Sequence, residues 1–232
     1  MKIVIVMYLL IMTALSAECQ HILLKKETKD YAVVDKRGPN LSLYTMRYIN
    51  FSNRIGTNLP GAEIRHLAIH DVNFGLREKF KISNRFSCGL ALNMHFAYYP
   101  LRQNNNKIVP DTILFKRQQI RLTSPGVEGY FRINFDKRRG NYLGGFMDIA
   151  GRAEFNAFNS VRNVYYDETV KIIENKSRNP FIEPFTAYAI VRCGYNFLNL
   201  TASYRITNLF KKAYHFPELP PYTIGIEFNT FR

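Results

Sequence analysis

Apolar and polar positions alternate with a period of two along most of the chain, the pattern of strands with one apolar face. Over residues 86–98, Phe86, Cys88, Leu90, Leu92, Met94, Phe96 and Tyr98 share one face, and Ser87, Gly89, Ala91, Asn93, His95 and Ala97 share the other. Over 197–209, Leu198, Leu200, Ala202, Tyr204 and Ile206 alternate with Asn199, Thr201, Ser203, Arg205 and Thr207. Near the end, Tyr222, Ile224, Ile226 and Phe228 alternate with Gly225, Glu227 and Asn229. No helical stripe of comparable clarity occurs. Residues 113–123 and 127–136 read as one long strand interrupted at Ser124, Pro125 and Gly126. Apolar Ile120 and Leu122 are even-numbered before the interruption, whereas Val127, Phe131, Ile133 and Phe135 are odd-numbered after it. A one-residue β-bulge exchanges the facing parity in this way and accommodates a proline inside a sheet. The pattern thus predicts eight strands, at 40–52, 64–80, 86–98, 116–136, 141–155, 181–193, 197–209 and 221–231.

The connections between these strands alternate in length. The second, fourth and sixth are short (81–85, 137–140 and 194–196), and the first, third, fifth and seventh are long (53–63, 99–115, 156–180 and 210–220). Short turns at one end and long loops at the other describe an outer-membrane barrel with both termini on the periplasmic side. The predicted strands are long enough to cross hydrocarbon at a tilt, which takes about 9–11 residues. The expected fold is therefore all-β: an eight-stranded antiparallel up-and-down transmembrane β-barrel spanning residues 40–232. Leu90, Leu92, Met94, Phe96, Leu198, Leu200, Tyr204, Ile224, Ile226 and Phe228 are expected to face lipid. The other face carries Glu128, Arg132, Asp148, Arg152, Glu154, Arg205 and Glu227. An eight-stranded barrel is just wide enough for its own side chains, so these charges are expected to pair into a plugged interior. Arg132 with Asp148 and Arg205 with Glu227 are the expected cross-strand pairs. The first strand resists orientation, because Arg47 shares a face with Leu41, Leu43, Ile49 and Phe51.

Composition sharpens this picture. The 232 residues include 15 Tyr and 18 Phe but no Trp, an aromatic excess that interfacial girdles account for. Mean hydropathy is slightly negative, which excludes a polytopic helical protein. The one long uncharged apolar run, 3–17, is too short for a spanning helix. With Lys2 before it and small residues at its end, residues 1–17 read as a secretory signal peptide. Residues 18–39 then form a polar periplasmic lead-in. The formal charge of +14 favours anionic partners. Export argues against nucleic acid, which leaves outer-membrane lipid and lipopolysaccharide. Loop cations Arg54, Arg102, Lys107, Lys171, Lys176, Lys211 and Lys212 are the candidates to meet lipopolysaccharide phosphates. The expected location is the outer membrane of a Gram-negative cell.

Several segments resemble a known family. They are the long fourth strand with its central proline, QQIRLTSPGVEGYFRINF, the Gly-rich fifth, NYLGGFMDIAG, and above all the last hairpin, SYRITNLF to ELPPYTIGIEF. Over residues 40–232 the chain resembles the small outer-membrane β-barrel proteins of Bacteroidota, the group that includes PorT-like proteins. The resemblance implies an eight-stranded outer-membrane barrel inserted by the barrel-assembly machinery, with Phe228 or Phe231 as its recognition aromatic. It also implies, for some members, an accessory role in type IX secretion and gliding with a protein partner in the envelope.

Catalytic chemistry has little support. Barrel enzymes acting on envelope lipids need a nucleophile, a histidine and an acid near the outer rim. His66 and His70 are four residues apart on a strand, about 13 Å, too far to share one metal ion. No cofactor motif and no metal cluster is present, so the expectation is a non-enzymatic protein that acts through its loops and lead-in. The rival readings are an envelope-lipid-modifying barrel enzyme and a secreted lipocalin-like binder with its apolar face turned inward.

Overall fold

The computed structural model describes residues 37–56, 59–65, 70–136, 140–167 and 170–230. The signal-peptide reading, most of the lead-in, His66 and Phe231 lie outside the described residues. Among the described residues ten strands form: β1 (Leu43–Ile55), β2 (Asp71–Lys81), β3 (Phe86–Leu101), β4 (Arg117–Asn134), β5 (Gly145–Phe155), β6 (Phe158–Asp167), β7 (Val170–Ser177), β8 (Phe185–Tyr195), β9 (Leu198–Arg205) and β10 (Tyr222–Thr230). Eight of them close on themselves in the order β1-β2-β3-β4-β5-β8-β9-β10, every pair antiparallel. The chain is a closed eight-stranded antiparallel β-barrel.

The register sets the geometry. From Leu43 the pairing runs through Phe80, Cys88, Phe131, Ile149, Val191, Ala202 and Ile224, and returns to β1 at Asn53. The return point is displaced by ten residues from Leu43, which is the stagger of the barrel. With ordinary strand spacings, eight strands so staggered tilt by about 40° and rise about 2.5 Å per residue along the barrel axis.

Strand alternation then separates two faces of opposite chemistry. Leu90, Leu92, Leu198, Leu200, Tyr204, Ile224, Ile226 and Phe228 are exposed on the outside, Leu92 to 66%. Met94 and Phe96 share the outward face of β3. Arg77, Arg132 and Asp148 are fully buried within. A soluble protein cannot hold this arrangement, because its apolar surface would face water and its charges would lose theirs. Surrounded by hydrocarbon, the same arrangement is the stable one. This polarity is the reverse of a lipocalin's, and the lipocalin-like reading falls on it. Aromatic pairs sit near the edges of the apolar band. Phe86 with Phe131 lies toward the short-turn end (5.7 Å between centroids), and Phe155 with Phe185 toward the loop end (5.2 Å).

Three expectations about strands need correction. First, β4 has no bulge at Ser124, Pro125 and Gly126: its pairing with β3 runs without offset from Phe86↔Ile133 to Leu101↔Gln118. Even-numbered residues of β4 face inward throughout. What changes at Ser124 is the surroundings. Below it Glu128 and Arg132 face a charged interior, while above it Ile120 and Leu122 join an apolar cluster with Tyr99, Leu101, Val161, Leu209 and Phe210. The barrel emerges from lipid at this height, so its outside turns polar and its inside turns apolar.

The extra residue lies instead on the neighbouring strand. Gly126 pairs with Glu154 and Thr123 with Phe158, so two residues of β4 face three residues, 155–157. Buried Asn156 holds this bulge: its Oδ1 accepts from Ser124 Oγ (2.7 Å) and its Nδ2 donates to the Glu183 carbonyl (2.7 Å).

Second, residues 156–180 form a hairpin rather than an irregular loop. β6 continues β5 upward along β4, and β7 returns beside β6. Third, the described residues within 64–70 and residues 206–209 lie outside strands; Ile64 makes only an isolated bridge to Leu101, and Leu209 is buried in the outer cluster. The first strand is now oriented. Tyr44, Met46, Tyr48, Asn50 and Arg54 point inward, and Arg47 lies on the outer wall.

Candidate functional site

The barrel interior is filled by a network of paired charges. Arg132 donates two hydrogen bonds to Asp148 (2.7 and 2.9 Å). Arg77 donates two to Glu227 (2.8 and 3.1 Å) and lies 3.6 Å from Glu128. Arg192 reaches three carboxylates, Glu128 at 2.8 Å, Asp148 at 3.0 Å and Glu227 at 3.2 Å. Toward the loop end Arg152 meets Glu154 (2.8 Å) and Arg54 meets Asp71 (2.6 Å). Aromatic rings cover the guanidinium planes: Phe146 lies 3.6 Å from Arg132, Tyr99 4.0 Å from Arg54 and Tyr48 4.2 Å from Arg77. A guanidinium suits this interior because its edge donates to carboxylates in a fork while its face stacks on rings.

Of the residues expected inside, Glu128, Arg132, Asp148, Arg152, Glu154 and Glu227 are drawn into this network. Arg205 is not. Register places Glu227 opposite Asn199, six residues below Arg205 on β9. Arg205 instead bonds Glu218 (2.8 Å) and the Leu219 carbonyl (2.9 Å) at the outer mouth. Glu218 also accepts from the backbone N–H groups of Leu209 and Phe210. The 206–221 segment is pinned by this carboxylate over the barrel end, so the hairpin is asymmetric and the expected Arg205–Glu227 pair cannot form.

Sequence reasoning overlooked Arg77 and Arg192, the centre of the network. Arg77 was legible in the alternation of β2, where Asp71, Asn73, Arg77 and Lys79 form one polar face. Arg192 was masked, because its own face of β8 also carries Tyr188 and Ile190. Two expected loop cations are buried. Arg54 lies inside the barrel, and Lys107 donates to Gln118 Oε1 (2.7 Å) and Asp111 (3.2 Å) beneath its loop. Burial holds the Lys107 pKa below the ordinary lysine value against the opposing pull of Asp111.

His95 and Ser124 face each other across the β3–β4 pair. They do not form a nucleophile and base. Both His95 ring nitrogens face carboxylates, Nδ1 toward Glu154 (2.8 Å) and Nε2 toward Asp71 (3.3 Å), while Ser124 bonds Asn156. A ring flanked in this way serves as a donor bridge between acids and has no lone pair aimed at the hydroxyl. No group of three or more His, Cys, Asp or Glu among the described residues could hold a metal ion.

The network leaves little open space. The void among Asn50, Asp71, His95, Arg192 and Glu227 has a volume of about 30 Å³, room for about one water. Apolar clusters close both ends, Tyr44, Met46, Leu143 and Phe146 at the turn end and the cluster around Phe210 at the loop end.

No family model matches the chain, and no curated protein matches it. Similar solved structures are small barrels. The N-terminal β-barrel domain of Pseudomonas aeruginosa OprF is 8% identical, with 80% of this chain and 97% of that one covered and a TM-score of 0.27. The attachment invasion locus protein Ail of Yersinia pestis is 10% identical, with 81% and 93% covered and a TM-score of 0.29. Ail in complex with the heparin analogue sucrose octasulfate gives 11%, the same coverage and 0.30. Likeness of this degree carries no functional argument.

Proposed function

We propose that this chain is an integral outer-membrane barrel protein of a Gram-negative envelope, without catalytic activity. It would act as a structural or accessory module that presents its outer loops and the β6–β7 hairpin. The observation that carries the proposal is the inversion of polarity, a fully buried ion-pair network inside an exposed apolar wall. The plugged interior favours a scaffold over a pore.

Expression of the full chain in a Gram-negative host tests this directly. Recovery in the outer-membrane fraction, with a gel mobility that changes on boiling, is expected. Soluble periplasmic recovery with no mobility change would overturn it. The finer role, an accessory of protein secretion or gliding like that of PorT-like proteins, is supported by the resemblance of the last hairpin. Deletion of the gene in its own host, followed by an inventory of secreted proteins, tests that role; an unchanged inventory would remove it.

A further inference from the structure

Every arginine of the interior network has a carboxylate beside it. Among the described residues, the cations lining a groove of the outer wall above the apolar band, along β4, β6 and β7, show none. There β4 carries Arg117, Gln119 and Arg121 outward, and the register sets Gln119 opposite Arg162 of β6. Lys116 lies over the Tyr166 ring at 4.1 Å, and Tyr166 pairs across with Lys171 of β7. Lys116, Arg117, Gln119, Arg162, Tyr166 and Lys171 line a groove of about 290 Å³ with no carboxylate among its described lining residues, and Arg121 lies two residues below Gln119 on the same face of β4. The Arg162 Nε is buried without a hydrogen-bond partner. Arg121 finds only the neutral Gln119 amide oxygen, once that amide is turned toward it. Burial, then the nearby Arg162 charge, holds the Arg121 pKa below its ordinary value. Like charges so close, with one donor unsatisfied, describe a site that an anion would complete.

The height of the groove selects the anion. Arg121 pairs directly opposite Tyr98, and Thr123 opposite Phe158, which is 73% exposed. These aromatics mark the outer edge of the apolar band. At about 2.5 Å per residue, the stretch from Arg121 to Arg117 covers the first ~10 Å above that edge. This is the depth of lipid head groups, since the polar layers add several ångströms on each side of a hydrocarbon core of about 30 Å. Below lie Phe158 and Val127, an apolar track for acyl chains.

We propose that the outward face of β4, β6 and β7 binds the phosphorylated saccharide head group of an outer-leaflet glycolipid. Arg121 and Arg162 hold a phosphate through their guanidinium forks, while Lys116, Arg117 and Lys171 reach further anionic groups. This site rests on the reading that the barrel spans the outer membrane.

The test is native mass spectrometry of the full chain in detergent, titrated with bisphosphorylated lipid A, dephosphorylated lipid A or phosphatidylcholine. Boiling-dependent gel mobility is checked in parallel. The parent chain is expected to retain bisphosphorylated lipid A at least tenfold more tightly than the other two lipids. Arg121→Ala/Arg162→Ala abolishes that preference, and the milder Arg162→Gln weakens it severalfold. Arg65→Ala/Arg85→Ala, which removes the same charge from two exposed sites elsewhere, leaves it unchanged. Equal losses in both double variants, or no preference for the phosphorylated lipid, would overturn the site while intact gel mobility upholds the barrel. Displacement of lipid A by micromolar inorganic pyrophosphate would overturn the lipid source in favour of a soluble phosphate ligand. Absence of any mobility change in the parent would point to failure of the membrane reading itself.

Discussion

Replacing Arg192 by Met isolates the energetics of the interior network. Methionine keeps most of the volume, so the cavity contribution is small. Three carboxylates lose a partner, but unequally. Asp148 keeps both hydrogen bonds from Arg132, and Glu227 keeps both from Arg77. Glu128 keeps only Arg77 at 3.6 Å. The cost centres on one buried carboxylate stripped of its close partner, which is ordinarily worth about 3–5 kcal/mol. Adding Glu128→Gln removes the stranded charge, so the double variant is expected within about 1–2 kcal/mol of the parent. The assay is urea titration of the chain folded into phosphatidylcholine vesicles, with the folded fraction read from unboiled gel mobility. A double-mutant cycle then gives the coupling. Additive losses, or an Arg192→Met cost below about 1 kcal/mol, would refute the assignment of Arg192 as the keystone of the network.

Other consequences are open to direct measurement. Asn156→Ala leaves the Ser124 hydroxyl and the Glu183 carbonyl without their partner and is expected to cost about 1–3 kcal/mol in the same titration; Ser124→Ala removes one of those bonds and costs less. Phe210→Ala opens the outer apolar cluster and costs about 3–5 kcal/mol. In planar bilayers, neither that variant nor the parent is expected to conduct, because the ion-pair network closes the barrel below the cluster; discrete conductance steps from the parent would contradict a plugged interior. Cys88 and Cys193 lie on the outer wall as free thiols. In vesicles of a Cys19→Ser chain, an apolar maleimide is expected to label them, and a sulfonated one only after denaturation.

The barrel was legible where one chemistry holds along a whole strand. Leu90, Leu92 and Met94 on β3, or Ile224, Ile226 and Phe228 on β10, alternate against small or polar neighbours without interruption. The pattern misled where the surroundings change along the strand. Ile120 and Val127 both follow the local rule, apolar inside above the membrane and apolar outside within it, but the rule reverses between them. A parity shift and an environmental shift leave the same trace in a sequence, and only the unbroken β3–β4 register separates them. The interior site was half visible for a related reason. Arg132 and Asp148 flank a short turn, so sequence distance predicts their contact. Arg205 and Glu227 flank a loop that folds back on the barrel mouth, and sequence distance says nothing of their offset. Arg192 meets Glu128 across 64 residues over the intervening β5, and Arg77 meets Glu227 across 150, a contact created by closure alone.

That closure has a bearing on assembly. Before β1 joins β10, the strands form an open ribbon with β2 near one margin and β10 at the other. Arg77 and Glu227, whose side chains bridge β2 and β10, then stand at opposite margins. The Asn50–Thr201 hydrogen bond between β1 and β9 is likewise unmade. A ribbon of this kind cannot sit alone in hydrocarbon, since both margins would offer bare backbone and unmatched charge to lipid. Insertion and seam formation must therefore be one concerted event, or the ribbon must be sheltered by another protein until its ends meet. A variant that breaks the Arg77–Glu227 bridge would then be recognised by slow, stalled insertion rather than by a loosened finished barrel.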